Sequence, residues 1–218
     1  MIDLDLFTAL PGASRETNRI YGVVIGVVTN NQDPDGLGRV KVRLPWLSKE
    51  HESNWARVTA PMAGNDRGLY LLPEVDDEVL VAFEHGRAEF PYILGSLWNG
   101  KDKPPGKNDG GKNSVRLLKS RSGHVIRLDD TDGGEKIEIV DAKGKQSIVF
   151  DTAAGSLTLT ADQDVVIESK NGLLKLSGNK GVEITAPAGA GRLEAQQGLD
   201  VKSSGGQVNV KGTVINLN

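Results

Sequence analysis

The chain has 218 residues, and its 26 Lys and Arg against 29 Asp and Glu leave a formal charge of −3, the wrong sign for a dedicated nucleic-acid binder. No apolar run approaches the roughly 20 residues of a bilayer-spanning helix, and Met1-Ile2-Asp3-Leu4-Asp5 lacks the basic start and apolar stretch of a secretory signal. With no cysteine there is neither a disulfide framework nor a thiolate metal site. The lack of a span and of a signal gives the expectation of a soluble chain made in the cytoplasm.

Residues 1–19 carry no strong pattern and read as an N-terminal arm. From residue 20 the chain reads as short strands. Tyr21–Val28 is β-branched and aromatic, and Val40, Val42 and Leu44 alternate with Lys41 and Arg43, the period of a half-buried strand. The intervening Asn30–Gly38 is dense in turn formers. Further strands are predicted at Trp55–Ala60, Leu69–Leu72, Glu78–Phe83 and Tyr92–Leu97, with turns at Pro73–Asp77 and His85–Arg87. Five or six short strands within residues 20–98, without helical periodicity, predict a small closed barrel.

Residues 99–112 contain no apolar side chain and are rich in Gly, Pro, Lys and Asp, the composition of a linker. The chain changes character across it. Nine of the ten aromatic residues lie at or before Trp98, and only Phe150 lies beyond. Aromatic side chains fill compact cores because each buries so much area, so residues 113–218 need another way to bury surface. Their 13 acidic and 13 basic side chains cancel.

That second half is a repeat. Apolar pairs separated by one residue recur at Ile126/Leu128, Ile137/Ile139, Ile148/Phe150, Leu157/Leu159, Val165/Ile167 and Leu174/Leu176. They continue at Val182/Ile184, Leu193/Ala195, Leu199/Val201, Val208/Val210 and Ile215/Leu217. Ten steps cover the 89 residues from Ile126 to Ile215, about nine per repeat, each step a strand offering two side chains to one face. Glycines recur between the pairs at turns. The period of 2 within each unit excludes helix. Strands coiled about a common axis would give these pairs an interior, either as a single-chain solenoid or as several intertwined chains. The spacings of 6 to 11 fit the six-residue rule of a left-handed single-chain β-helix poorly, which favours intertwining. In that arrangement the pairs from Ile126 to Val210, Leu193/Ala195 aside, form the needle core.

Tyr21–Val28, Asp33–Val42 and Leu44-Pro45-Trp46, continuing through Trp55–Val58, Leu72–Gly86 and Pro91–Leu97, resemble the oligonucleotide/oligosaccharide-binding (OB) domain of contractile-tail spikes. That family includes phage baseplate assembly protein V and the Vgr proteins of type VI secretion and extracellular contractile injection systems. The resemblance implies an all-β chain: an OB barrel followed by an intertwined triple-stranded β-helix in a homotrimer. Its function would be a needle that pierces a target envelope, touching it transiently, when a sheath contracts. It would be part of a phage baseplate or an injection particle and would have no enzymatic activity, cofactor or nucleic-acid partner. The closing Val208–Asn218 also resembles the family's spike end, which implies a PAAR-type tip protein docked on Val214, Ile215, Asn216, Leu217 and Asn218. Only about 20 residues precede Tyr21, so a separate hub protein is expected at the OB end. No lysozyme domain interrupts barrel and helix, and the histidines His51, His85 and His124 lie far from the apex where some short spikes hold iron.

Other motifs are weaker. Asp33-Pro34-Asp35-Gly36 lacks the later ligands of a calcium loop and reads as a turn. His51-Glu52 has Trp55 where a zincin has its second histidine. Gly110-Gly111-Lys112-Asn113 has Asn in the Ser/Thr place of a phosphate loop and no strand before it. No nucleophile elbow is present. His124 is placed to pair with Asp129 or Asp130, although a solvated strand start suits it better. Trp46, Trp55 and Trp98 read as core or as a barrel–helix junction sooner than as a base-stacking platform. The alternative function is a carbohydrate- or nucleic-acid-binding OB module with a β-solenoid tail.

Overall fold

The structure, a computed structural model, describes residues 19–48 and 50–216. The N-terminal arm up to residue 18, and the Leu217 and Asn218 assigned to the tip face, lie outside the described residues. Two units are present, Met1–Asp162 and Gln163–Asn218.

The first unit opens with a closed barrel. Its strands are β1 (Val23–Asn30), β2 (Arg39–Arg43), β3 (Ala56–Val58), β6 (Glu78–Phe83) and β7 (Pro91–Ser96), in the order β1-β2-β3-β7-β6. All neighbours are antiparallel except β3 and β7, which run parallel and pair Arg57 with Tyr92. The alternation in the sequence selects the interior. Val40 and Val42 of β2, Val79, Val81 and Phe83 of β6, and Val28, Ala56 and Ile93 are buried together with Leu44. Ile20, Val24, Val58 and Leu72 pack against that cluster. Gly26 of β1 lets two strands close on each other, since a Cβ there would lie 2.9 Å from Val81 Cγ2 and 3.3 Å from Val42 Cβ.

Leu69–Leu72, predicted as a strand, is not one. The excursion between β3 and β6 instead forms a two-residue hairpin of β4 (Ala63–Gly64) and β5 (Arg67–Gly68). Only Leu72 reaches the core cluster, whereas Leu69, Tyr70 and Leu71 are exposed. A short apolar run signals a buried strand only if it stands in the sheet, and no barrel strand is free to pair with this one.

The barrel has a direction. The chain arrives where the Ile20 N–H donates to the Gly86 carbonyl (2.8 Å) and Arg19 Nη1 donates to the His85 carbonyl (2.8 Å), beside the start of β1. It leaves at the opposite end, where the Leu97 N–H donates to the Glu78 carbonyl (2.8 Å). These are the entrance and exit ends. Residues 99–112 follow without strand structure and, Asn99 aside, are exposed.

Beyond them stand β8 (Val115–Lys119), β9 (Val125–Asp129), β10 (Lys136–Val140), β11 (Ser147–Asp151) and β12 (Ser156–Thr160), an antiparallel meander in the order β12-β11-β10-β9-β8. Turns of four to six residues fold each strand back beside its predecessor. The three inner strands thus have both edges paired inside one chain, while β8 and β12 keep one open edge each and one face of the sheet stays uncovered. In the second unit no strand forms among the described residues, and every one of them is exposed.

Candidate assembly surface

The register of the meander stacks the repeat. Ile126 faces Ile139 and Leu118, Ile139 faces Ile148, and Ile148 faces Leu159. One step along, Leu128 faces Ile137, Ile137 faces Phe150, and Phe150 faces Leu157. Two cross-strand columns thus put nine large apolar side chains on one face. None is buried: Ile137, in the middle of its column, is 43% exposed. Arg116 extends the second column on the edge strand, facing Leu128, and pairs with Asp130 at 2.5 Å. An inward-pointing charge on an edge strand discourages further strands from adding there.

The opposite face mixes Leu117, Val125, Val140 and Val149 with paired charges. Arg127 of β9 forms an ion pair with Glu138 of β10, and Lys136 lies 3.7 Å from Asp151 of β11. Carboxylates build the turns. Asp141 accepts the N–H groups of Gln146, Lys143 and Lys145, which lowers its pKa. Asp129 is lowered chiefly by the Thr131 hydroxyl, 2.6 Å away. His124 joins neither Asp129 nor Asp130: its Nδ1 accepts the Ala142 N–H at 3.2 Å, tying the β8–β9 turn to the β10–β11 turn.

The eight residues from Ile126 to Leu159 that the sequence singled out are thus brought together on one surface. Val165, Ile167, Leu174, Leu176, Val182, Ile184, Leu199, Val201, Val208 and Val210 are all exposed and form no cluster in a single chain. Of the tip-face residues, Val214, Ile215 and Asn216 are described and exposed. Sequence reading missed β8 and its Leu118. The adjacent Leu117-Leu118 hides the alternation, and only pairing with Ile126 shows which leucine shares the apolar face.

On the barrel, Asp33 is an organiser of the β1–β2 loop. Its carboxylate takes Arg39 Nη2 at 2.6 Å and Nε at 2.8 Å, together with the N–H groups of Asp35, Leu37 and Arg39. Its side chain is 3% exposed, and the Arg39 guanidinium holds its carboxyl well below the usual carboxylate range. Asp35 also binds Arg39, at 2.6 Å, so the guanidinium sits where a calcium ion would have to bridge the two carboxylates. Arg39 and Lys41 lie over the Trp55 ring, 5.9 and 5.5 Å from its centroid, and Lys41 also meets Glu52. These cations are already neutralised, which counts against an OB groove for a polyanion. Trp46 and Trp98 are exposed and not in the core. Trp46 follows β2 at the entrance end and Trp98 follows β7 at the exit end, so they share no stacking platform.

A cavity of about 250 Å³ at the entrance end is lined by Leu44, Leu47 and Ala88, with His51, Asn54 and Glu89 beside them. His51 Nδ1 is engaged with Ser48 Oγ at 2.9 Å. Among the described residues no group of three His, Asp or Glu is placed to hold a metal ion, and no helix is long and apolar enough to cross a membrane.

Residues 24–98, the barrel, match the model of the type VI secretion system/phage-baseplate injector OB domain. The barrel is thus similar to the OB domain of Vgr-type spikes. The chain is 28% identical over 146 residues to the type VI secretion system spike protein VgrG1a of Pseudomonas aeruginosa, covering 62% of this chain and 23% of that protein. The match to VgrG1b of the same organism is 29% over 137 residues, covering 58% and 18%. VgrG3 of Vibrio cholerae is 34% identical over 95 residues, covering 40% of this chain and 9% of the relative. The chain thus spans between 9% and 23% of the length of these relatives, all of them named as spike proteins.

Proposed function

We propose that the chain is the central spike of a contractile injection machine or phage baseplate, working as a homotrimer whose residues 113–218 form the needle. The observation that carries this reading is the exposed double column running from Leu118 and Leu128 to Leu159 and Leu157. Full burial of one Leu, Ile or Phe stabilises by roughly 1.5–3 kcal/mol. Nine such side chains, each about half covered within the sheet, therefore leave roughly 6–12 kcal/mol per chain to be gained when copies close on one another. Three such faces around an axis make an interior that excludes water. The apolar pairs from Val165 to Val210 acquire a core only in the same way, by winding with their counterparts into a triple-stranded β-helix.

The mechanism is mechanical. About eleven strands per chain, each advancing by one interstrand spacing of about 4.8 Å, give a needle roughly 50 Å long. Axial load is carried by a hydrogen-bonded ladder and not by one loop. The barrel's entrance end meets a hub. The stretch Val214–Asn218 takes a PAAR-type tip protein. When the sheath contracts, the trimer is driven through the target envelope. No step calls on catalysis, a cofactor or nucleic acid, and the names of the relatives support a structural role.

The test is mass in solution. The 23.3 kDa chain is expected as a detergent-resistant trimer near 70 kDa. A monomer at micromolar concentration that melts in one cooperative step overturns the reading.

A further inference from the structure

The excursion between β3 and β6 contributes only Leu72 to the barrel interior, yet it carries Met62, Leu69, Tyr70 and Leu71 into solvent. Tyr70 is 75% exposed. The excursion is ordered by its own bonds. β4 pairs with β5, the Leu69 N–H donates to the Met62 carbonyl at 3.0 Å, and the Tyr70 ring lies against Gly38, where a Cβ would be 3.5 Å away. Leu37, next to that contact, is exposed as well. Isolated apolar side chains on a surface need no explanation, but a built hairpin that presents several together marks an interface.

We infer that this hairpin, residues 61–72, seats against a neighbouring copy of the chain and locks the barrels of the trimer to one another. The inference rests on the trimeric reading and adds a second contact to it. The position of the hairpin selects the occupant. Gly38 leads into β2 at the end where Asn30 pairs with Lys41 and β1 meets the start of β6, which is the exit end. The loop that follows the hairpin carries Glu74, which takes Arg121 of the β8–β9 turn at 2.8 Å. The hairpin thus stands on the side of the barrel that faces its own sheet. When apolar sheet faces close around an axis, the sheet starts and exit ends of three copies come alongside. A hub meeting the entrance end lies at the other pole of the barrel, where Arg19 and Ile20 arrive. Four side chains exposed by half to three quarters offer on the order of 300 Å² per copy. That area is too small to hold copies together by itself but sufficient to slow their separation.

The experiment is subunit exchange between differently labelled full-length trimers. The double variant Met62→Ser/Tyr70→Ser is expected to keep the trimer mass and the barrel melting transition while exchanging roughly tenfold faster, the factor that corresponds to about 1.4 kcal/mol. A control at the opposite pole, Trp46→Ser/Phe90→Ser, alters two exposed residues and is expected to exchange at the wild-type rate. Wild-type exchange in the Met62/Tyr70 variant, or equal acceleration in both variants, overturns the inference and leaves the trimer standing. A wild-type chain that is itself monomeric overturns the trimer and the inference together.

Discussion

Phe150→Ala separates association from folding. Phe150 is the only aromatic residue after Trp98, stands between Ile137 and Leu157 in the second apolar column, and is 44% exposed in the single chain. Full burial of such a side chain is worth roughly 1.5–3 kcal/mol, so the part still uncovered contributes about 0.7–1.3 kcal/mol per chain when copies meet. Three copies lose about 2–4 kcal/mol together, which raises the trimer dissociation constant roughly 30- to 700-fold at 1.4 kcal/mol per tenfold. The assay is sedimentation velocity across a dilution series. Val149→Ala is its control, since Val149 neighbours Phe150 but faces Glu138 and Thr158 on the opposite side of the sheet. That variant is expected to lower the melting temperature with little change in the dissociation constant. A Phe150→Ala chain that dissociates within threefold of wild type, or a Val149→Ala chain that dissociates as readily, refutes the assignment of this face to association.

Further outcomes follow from the same structure. Gly26→Ala places a methyl 2.9 Å from Val81 Cγ2 and 3.3 Å from Val42 Cβ, between two β-branched core residues that cannot swing away. It is expected to destabilise the barrel by about 1–3 kcal/mol, and an unchanged denaturation midpoint argues against the close approach. Asp33→Asn is expected to lower the melting temperature at neutral pH. The Asp33 carboxyl titrates in the folded chain below its ordinary 3.8, so its stabilisation is complete above that value and is lost as the pH falls toward the folded value. The gap between wild type and Asp33→Asn should therefore narrow between about pH 5 and pH 2, and a gap that widens on acidification contradicts the Arg39 pairing. A chain truncated before Val214 is expected to trimerise but not to retain a PAAR-type tip protein in a pull-down. Undiminished capture moves the tip site elsewhere.

Legibility followed periodicity. Val79, Val81 and Phe83 alternate with Glu78, Leu80 and Ala82, and the predicted strand Glu78–Phe83 is β6. Val40 and Val42 are read as inward by the same rule and are buried. The rule fails where a run is apolar for another reason. Leu69–Leu72 has strand composition but stands at the exit end of a barrel already closed by β3 and β7. It also fails at β8, where two adjacent leucines leave the phase open. The apolar pairs were visible residue by residue from Ile126 onward. Their hairpin partners were not, because the pairs state which face a side chain takes and say nothing of which strand lies alongside.

The amino-acid sequence alone determines two things here: a barrel with an alternating interior, and a second half whose apolar residues recur in pairs one position apart. Side-chain alternation is a local property, set by the two-residue period of extended backbone, so it survives without knowledge of neighbours. The direction of the barrel, the Asp33–Arg39 clasp and the stacking of Ile126 on Ile139 and Ile148 are decided only in three dimensions. Each joins residues whose proximity depends on register and turn length, and a shift of one residue in any hairpin would turn the apolar columns to the other face.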